Sequence, residues 1–162
     1  MSVSDPASLP ASSKFVWPPV IYGAAAIAAA LLAWLAPVSL LPAAGETLRH
    51  ILGIALVLAG ILLALAAKRL FDRAGTPVAP IKPTSALVTD GIYRHTRNPM
   101  YLGLSLILLG LAVATGSLWF LAGLVVAVYA VTKLAIEREE LYLAGKFGAT
   151  YLQYKSRVRR WV

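Results

Sequence analysis

Residues 97–117 read RNPMYLGLSLILLGLAVATGS, and the reading of this stretch decides the fold. Arginine, asparagine, proline and tyrosine lead from a charged loop into a run with no charge from Pro99 to Ala114. A helix that crosses the hydrocarbon core of a bilayer needs about 20 mostly apolar residues, and roughly 17 to 25 is the working range. Outward from 99–114, three further runs have that character: 117–136 immediately after it, and 20–41, softened by Pro37, and 48–67 before it. Only Thr115, Gly116 and Ser117 separate the last two runs, which predicts a tight antiparallel hairpin. The pattern predicts an all-α integral membrane protein with four transmembrane helices and a C-terminal amphipathic segment over 137–162.

Composition agrees. Of 162 residues, 59% are hydrophobic and 14% charged, against about a quarter charged in ordinary soluble domains. The formal net charge of +8 would suggest nucleic acid in a soluble chain. Here the bases flank apolar runs, so anionic lipid headgroups are the expected counter-charge and nucleic acid is not an expected partner. The absence of cysteine removes disulfides, thiolate nucleophiles and cysteine metal sites. The two histidines, His50 and His95, lack partners at metal-ligand spacing, so no metal is expected. Residues 1–19 are polar and proline-rich and read as a flexible tail, leaving 20–162 as one domain.

Basic residues orient the spans. Lys68, Arg69, Arg73, Lys82, Arg94 and Arg97 lie between the second and third runs, and Lys133, Arg138, Lys146, Lys155, Arg157, Arg159 and Arg160 lie at or beyond the end of the fourth. The other two connections offer only Arg49. Both basic segments and both termini, the N-terminus with Lys14, are therefore expected in the cytoplasm. Glycines recur seven residues apart, at Gly53 and Gly60, Gly103 and Gly110, and Gly116 and Gly123, which suits close helix packing in lipid.

Between Arg73 and Arg97, three prolines and two glycines exclude a continuous helix, Leu87-Val88 reads as a short extended piece, and Asp90-Gly91 as a turn. A loop this long in so small a protein is unusual unless it binds something. At its end, Asn98 reads as an N-cap, Pro99 suits the first helical position, and Tyr101 sits at interface depth. A plain helix start explains those three residues. The same helix N-terminus with Arg97 beside it also makes a site for a small carboxylate-bearing ligand. The stretch alone leaves both readings open.

Glu137, Glu139 and Glu140 are three of only seven acids and cluster at the end of the fourth run. Spacing puts Glu137 and Glu140 on one helix face and Glu139 elsewhere. One reading is a solvated helix end paired with Lys133 and Arg138. Tyr142, Phe147, Tyr151, Tyr154 and Trp161, mixed with bases, then suit an interfacial helix, with Lys155 to Arg160 facing lipid. Carboxylates beside an anionic surface are repelled, which favours a more specific role for the glutamates.

Taken together, LVTDGIYRHTRNPMYLG (87–103), EREELYLAGKFGATYLQY (137–154) and VRRW (158–161) resemble the membrane methyltransferases of the isoprenylcysteine carboxyl methyltransferase type, a group that includes the phospholipid N-methyltransferases. The resemblance covers about half the chain, from Gly75 to Trp161. It implies a cytoplasmic cofactor-binding loop, S-adenosylmethionine as cofactor, and methyl transfer to a lipid or lipid-modified acceptor that enters from the bilayer. It also implies that Leu87, Val88, Gly91, Tyr93, Arg97, Asn98, Pro99 and Tyr101 form one wall of the cofactor site. Glu139 and Glu140 form the other wall, with Tyr151 and Tyr154 as a lid. Arg97, Tyr101 and Glu140 are the residues expected to carry catalysis. The chemistry fits: the cofactor's carboxylate suits Arg97, its ammonium and ribose suit the glutamates, and its sulfonium suits a tyrosine face. Asn98 stands where the family has histidine, so this position hydrogen-bonds without titrating. Thr96 follows Arg94-His95 where the motif needs proline. Ile92 and Arg159 replace prolines of the pattern. The acceptor nucleophile stays open between carboxylate, phospholipid amine and thiol. A non-enzymatic adaptor that binds anionic lipid through its basic tail is the alternative of another class.

Overall fold

The computed structural model describes residues 17–40, 45–76 and 85–162. Residues 1–16 of the predicted tail 1–19, with Lys14, and Lys82 lie outside these; Pro18 and Pro19 of that tail already belong to the first helix. The described chain is helical, with one isolated antiparallel bridge between Ser39 and Ser117. Its helices are α1 (Pro18–Leu35), α2 (Glu46–Arg73), α3 (Pro99–Thr115), α4 (Leu118–Val131) and α5 (Glu137–Arg157), with a 3-10 turn at Gly91–Arg94.

The apolar runs became helices with shifted ends. α1 stops at Leu35 rather than near 41, because a residue before proline is pushed out of the helical region and Pro37 follows Ala36. α2 runs six residues beyond the expected 67, and the ion pair of Lys68 with Asp72 at 2.7 Å supports the extra turns. The expected fourth span does not end at 136. A π-helical turn, Thr132–Ile136, joins α4 to α5, so Leu118–Arg157 is one 40-residue helix. Three helices, α1, α2 and this long one, are long and apolar enough to cross a membrane; α3 is apolar but has only 17 residues.

α2 and α3 pack antiparallel at very close range. A Cβ on Gly60 would stand 2.5 Å from the Gly103 carbonyl oxygen, and one on Gly110 would stand 2.6 Å from that of Gly53. The two seven-residue pairs therefore let the backbones touch. The third pair does not share a face. Gly116 is the left-handed C-cap of α3, at φ 66°, where a Cβ would meet the Arg49 guanidinium of α2, whereas one on Gly123 would approach Ala25 of α1. Ser117 caps α4 by accepting from the Trp119 amide, which closes the predicted hairpin.

At this end of the bundle the chain after α1 is tied to that hairpin. The Leu40 amide donates to the Gly116 carbonyl, the Leu118 amide to that of Val38, and Trp119 Nε1 to that of Ala36. The buried core, with Tyr22, Tyr101, Leu108, Phe120, Val131 and Ile136 among its members, lies between α1, α3 and α4. Buried polar groups satisfy one another inside it: the Tyr22 and Ser105 hydroxyls are 2.7 Å apart, and Ser105 donates to the Tyr101 carbonyl.

Candidate active site

The polar sequence gathers at the opposite end of the bundle. The loop before α3 approaches the first turns of α5, and the chain after α5 returns beneath both. The carbonyl of Arg159 accepts from the Arg97 amide at 3.0 Å, and that of Arg160 accepts from Asn98 Nδ2 at 2.9 Å and Thr96 Oγ1 at 3.2 Å. Asn98 does occupy the N-cap position, but its side chain makes no capping bond. It holds the C-terminal segment instead. The spacing that suggests a cap could not reveal a partner 62 residues away.

Of Lys155 to Arg160, expected to face lipid, Lys155 and Arg160 turn instead to Glu140, while Arg157 and Arg159 are exposed. Arg160 Nε and Nη2 donate to the two oxygens of Glu140 at 2.9 and 3.0 Å, and Lys155 Nζ lies 3.0 Å from Glu140 Oε2. Arg97 Nη1 lies 3.2 Å from Glu140 Oε1, with the side chains only 10% and 9% exposed, and 3.4 Å from the Tyr151 hydroxyl. Three cations thus surround one carboxylate. Burial works to raise the affinity of Glu140 for its proton. The hydrogen bonds from Arg160 and Lys155 and the charges of Arg97 and Arg160 outweigh it and hold the carboxyl below the usual carboxylate range.

The acidic trio divides differently from the helical-wheel expectation. Glu137 pairs with Lys133 at the surface, at 2.7 Å, while Glu139 and Glu140 both face inward. The π turn sets the phase of α5 as a whole: its extra residue buries Ala135 and Ile136 in succession, and the cleft wraps around the next turn so that both Glu139 and Glu140 reach it. Glu139 accepts from the Tyr101 hydroxyl at 2.9 and 3.0 Å. It lies beyond Ile136, the end of the apolar part of the long helix. Burial, with the nearby charge of Glu140, pushes its carboxyl up to about 7 against the opposing hydrogen bond from Tyr101.

These groups line a cleft that opens to solvent, with about 840 Å³ of atom-free space counting the open part. Of the residues singled out from sequence, Leu87, Val88, Tyr93, Arg97, Asn98, Tyr101, Glu139, Glu140, Tyr151 and Tyr154 line it. Pro99 is buried at the start of α3, and Gly91 opens the 3-10 turn; neither reaches the cleft wall. Phe71, Met100, Ile136, Tyr142 and Leu143 also line it; Met100, Tyr142 and Leu143 lie within the quoted motifs without being singled out for the site, and no motif marks Phe71 or Ile136. Leu87 and Val88 lie in neither helix nor strand.

The two tyrosines expected as a lid are positioned by a break in α5. Gly148, at φ 51° and ψ −127°, kinks the helix between Phe147 and Tyr151. Tyr154 then donates to the Tyr93 carbonyl at 2.7 Å, and Tyr151 is buried against Arg97. Burial raises the pKa of both hydroxyls, that of Tyr154 to about 12, so they remain neutral donors. Tyr93, buried edge-on against Phe71, is likewise raised.

A cleft of this kind at the end of membrane-length helices defines a class, and sequence comparison gives the family. Residues 48–150 match the phospholipid methyltransferase family, and the chain belongs to it. Within its length it is 41% identical over 63 residues to an uncharacterised protein of Haemophilus influenzae, covering 39% of this chain and all of that protein. It is also 35% identical over 72 residues to protein-S-isoprenylcysteine O-methyltransferase of Schizosaccharomyces pombe, covering 44% of this chain and 30% of that protein. No solved structure matches the chain. The protein is a multi-pass membrane protein of a methyltransferase family. No group of histidine, cysteine or acidic side chains among the described residues is arranged to hold a metal ion.

Proposed function

We propose that this cleft binds S-adenosylmethionine and that the protein transfers its methyl group to a lipid-like acceptor arriving from the bilayer. The observation that carries the reading is Arg97. Its side chain is buried between Glu140 and Tyr151, yet its Nε atom has no hydrogen-bond partner. A buried guanidinium donor left unsatisfied fits a missing carboxylate, and the cofactor has one. The rings of Tyr93, Tyr101, Tyr151 and Tyr154 line the same cleft, and aromatic faces attract a sulfonium.

The bound cofactor supplies an electrophilic methyl group. The chain's own residues then have positioning work, since in-line placement of nucleophile and methyl contributes most to such a reaction. Glu140 acts through its cations: saturated by three of them, it fixes Arg97 and the returning Arg160 rather than receiving the cofactor's ammonium. Tyr154 and Tyr151 close the cleft toward the Tyr93 loop and limit water. In this proposal α1 to α4 all cross the membrane, α3 at the short end of the range, with the cleft and both termini on the cytoplasmic face.

Calorimetry of the purified full-length chain with S-adenosylmethionine tests the reading. Binding at one site, weakened at least tenfold in Arg97→Ala, is expected. A wild-type chain that takes up no cofactor overturns it.

A further inference from the structure

α1 lies outside residues 48–150, which match the family, yet one of its side chains is tied by hydrogen bonds to the wall of the cleft. The face that α1 turns to the core is mostly small, with Ala25, Ala26 and Ala29. Only two of its residues, Tyr22 and Trp34, carry a side-chain hydrogen-bonding group, and Trp34 is exposed while Tyr22 is buried. Small residues let helices approach but carry no direction, whereas a hydrogen bond does.

The direction of that bond is fixed. Ser105 gives its one hydroxyl proton to the Tyr101 carbonyl at 2.9 Å, so the Tyr22 hydroxyl, 2.7 Å away, is the donor to Ser105 Oγ. Tyr101 and Ser105 are four residues apart and share one face of α3, while Gly103 is turned the other way, onto Gly60 of α2. The start of α3 is therefore gripped from two sides, by α2 at Gly103 and by α1 at Ser105. From this gripped turn the Tyr101 hydroxyl donates to the Glu139 oxygens at 2.9 and 3.0 Å.

Glu139 depends on that contact. The other titratable or charged groups around it are Tyr93 from the 3-10 turn, Glu140 and Tyr151 from its own helix, and Arg97, which is turned to Glu140. No lysine or arginine pairs with Glu139 among the described residues, whereas Glu140 has three cations at 2.9–3.2 Å. In the methyl-transfer reading Glu139 is thus the carboxylate left for the cofactor's ammonium.

Resting on that reading for its bearing on the reaction, we infer that Tyr22 of α1 is a positioning residue of the cleft, which through Ser105 holds Tyr101 against the Glu139 carboxylate. A helix outside the matched segment then takes part in the site. The effect is felt near neutral pH. Burial pushes the Glu139 carboxyl up to about 7, and the hydrogen bond from Tyr101 opposes this by favouring the ionised form. A modest change in that bond therefore changes how much of Glu139 is charged.

Infrared titration of the purified full-length chain without cofactor is the deciding test. A protonated-carboxyl band that disappears as pH rises through about 7, and is missing in Glu139→Gln, reports Glu139. Tyr22→Phe keeps the buried ring and removes only the hydroxyl. It is expected to raise the midpoint of that band by about half a unit to one unit, the worth of one interhelical hydrogen bond in lipid. Ser105→Ala, which leaves α1 untouched, is expected to give the same rise. Tyr101→Phe is expected to raise the midpoint further, and Tyr22→Phe added to it to change nothing more, because the last link is already gone. A residue that only stabilises the bundle would lower the thermal midpoint and leave the band in place. Calorimetry with S-adenosylmethionine gives a second readout: Tyr22→Phe is expected to weaken binding about two- to fivefold at pH 7 and not at about pH 9, where the carboxyl is ionised in both proteins. The inference is overturned by a wild type without a Glu139 band, by a band unmoved in Tyr22→Phe and Ser105→Ala, by a Tyr22→Phe shift that persists in Tyr101→Phe, or by an affinity loss equal at both pH values. A wild-type chain that takes up no cofactor sinks the methyl-transfer reading instead, and the infrared midpoints still decide the role of Tyr22.

Discussion

Arg97 and Glu140 form the residue pair on which the cleft depends, and their substitutions should differ in kind. Arg97→Ala leaves Glu140 with Lys155 and Arg160, so the fold should survive while cofactor binding weakens by about 1.5–3 kcal/mol, the range for a hydrogen bond to a charged group. Glu140→Gln strands three cations, one of them the buried Arg97, and breaking a buried pair in this way costs about 3–5 kcal/mol. Its thermal midpoint in detergent should fall, and the fall should depend on pH. Because the Glu140 carboxyl is held below its ordinary value, its contribution is fully present above the unfolded-state value of about 4.3 and is lost as pH falls through the lower folded value. The midpoint difference between wild type and Glu140→Gln should therefore be largest near neutral pH and shrink in acid. A pH-independent difference would deny the ion cluster. Asn98 gives a third contrast. Its Nδ2 bond to the Arg160 carbonyl can be replaced by a ring N–H, so Asn98→His should retain cofactor affinity, whereas Asn98→Ala, which frees the tail, should reduce it.

At the scale of elements, what was legible in the sequence was whatever depends on local pattern. Uninterrupted apolar runs marked α1 to α4, Pro99 marked the start of α3, and Gly53, Gly60, Gly103 and Gly110 marked a close helix contact. Three features were not legible, because each is decided by contacts between distant segments. The π turn at Thr132–Ile136 has no breaker residue, yet it sets the faces of Glu139 and Glu140. The return of residues 158–161 beneath α3 rests on the Arg159 and Arg160 carbonyls and on Arg160 donating to Glu140, partners too distant in the chain for local spacing to reveal. The kink at Gly148 looks in sequence like any helical glycine. It yields a sharp prediction. No neighbour lies within 4 Å of a Cβ placed there, so Gly148→Ala meets no clash, only a backbone conformation that side chains rarely adopt. Residues held in such regions cost on the order of 1–3 kcal/mol. Straightening the helix relieves that cost but withdraws Tyr151 and Tyr154 from Arg97 and Tyr93. The expected result is a protein that inserts and stays helical but binds cofactor more weakly. Unchanged affinity would show that the kink does not position the two tyrosines.

The whole molecule is polarised along the bundle axis. One end carries the cleft and the charged segments around it, while the other carries two short, mutually hydrogen-bonded connections, with Arg49 lying within 3.7 Å of Glu46. In the proposed arrangement this asymmetry puts the cleft end in the cytoplasm, since basic residues flanking the spans tend to be retained on that side. It also predicts that α3, although only 17 residues long, crosses fully. Its N-terminus belongs to the cleft and its C-terminal Gly116 to the opposite hairpin, and its backbone is locked to α2 over the Gly103 and Gly110 contacts, so it cannot lie flat on one surface. The absence of cysteine makes this directly measurable. Single cysteines at Asp90, beside the cleft, and at Thr115, in the hairpin, are both exposed and should react with an impermeant reagent from opposite faces of a sealed vesicle. Asp90→Cys should label only when the cytoplasmic face is accessible, and Thr115→Cys only when the other face is. Labelling of both from the same side would mean that α3 does not cross, and a cleft built on its N-terminus would then lose the relation to the bilayer that the proposed acceptor requires.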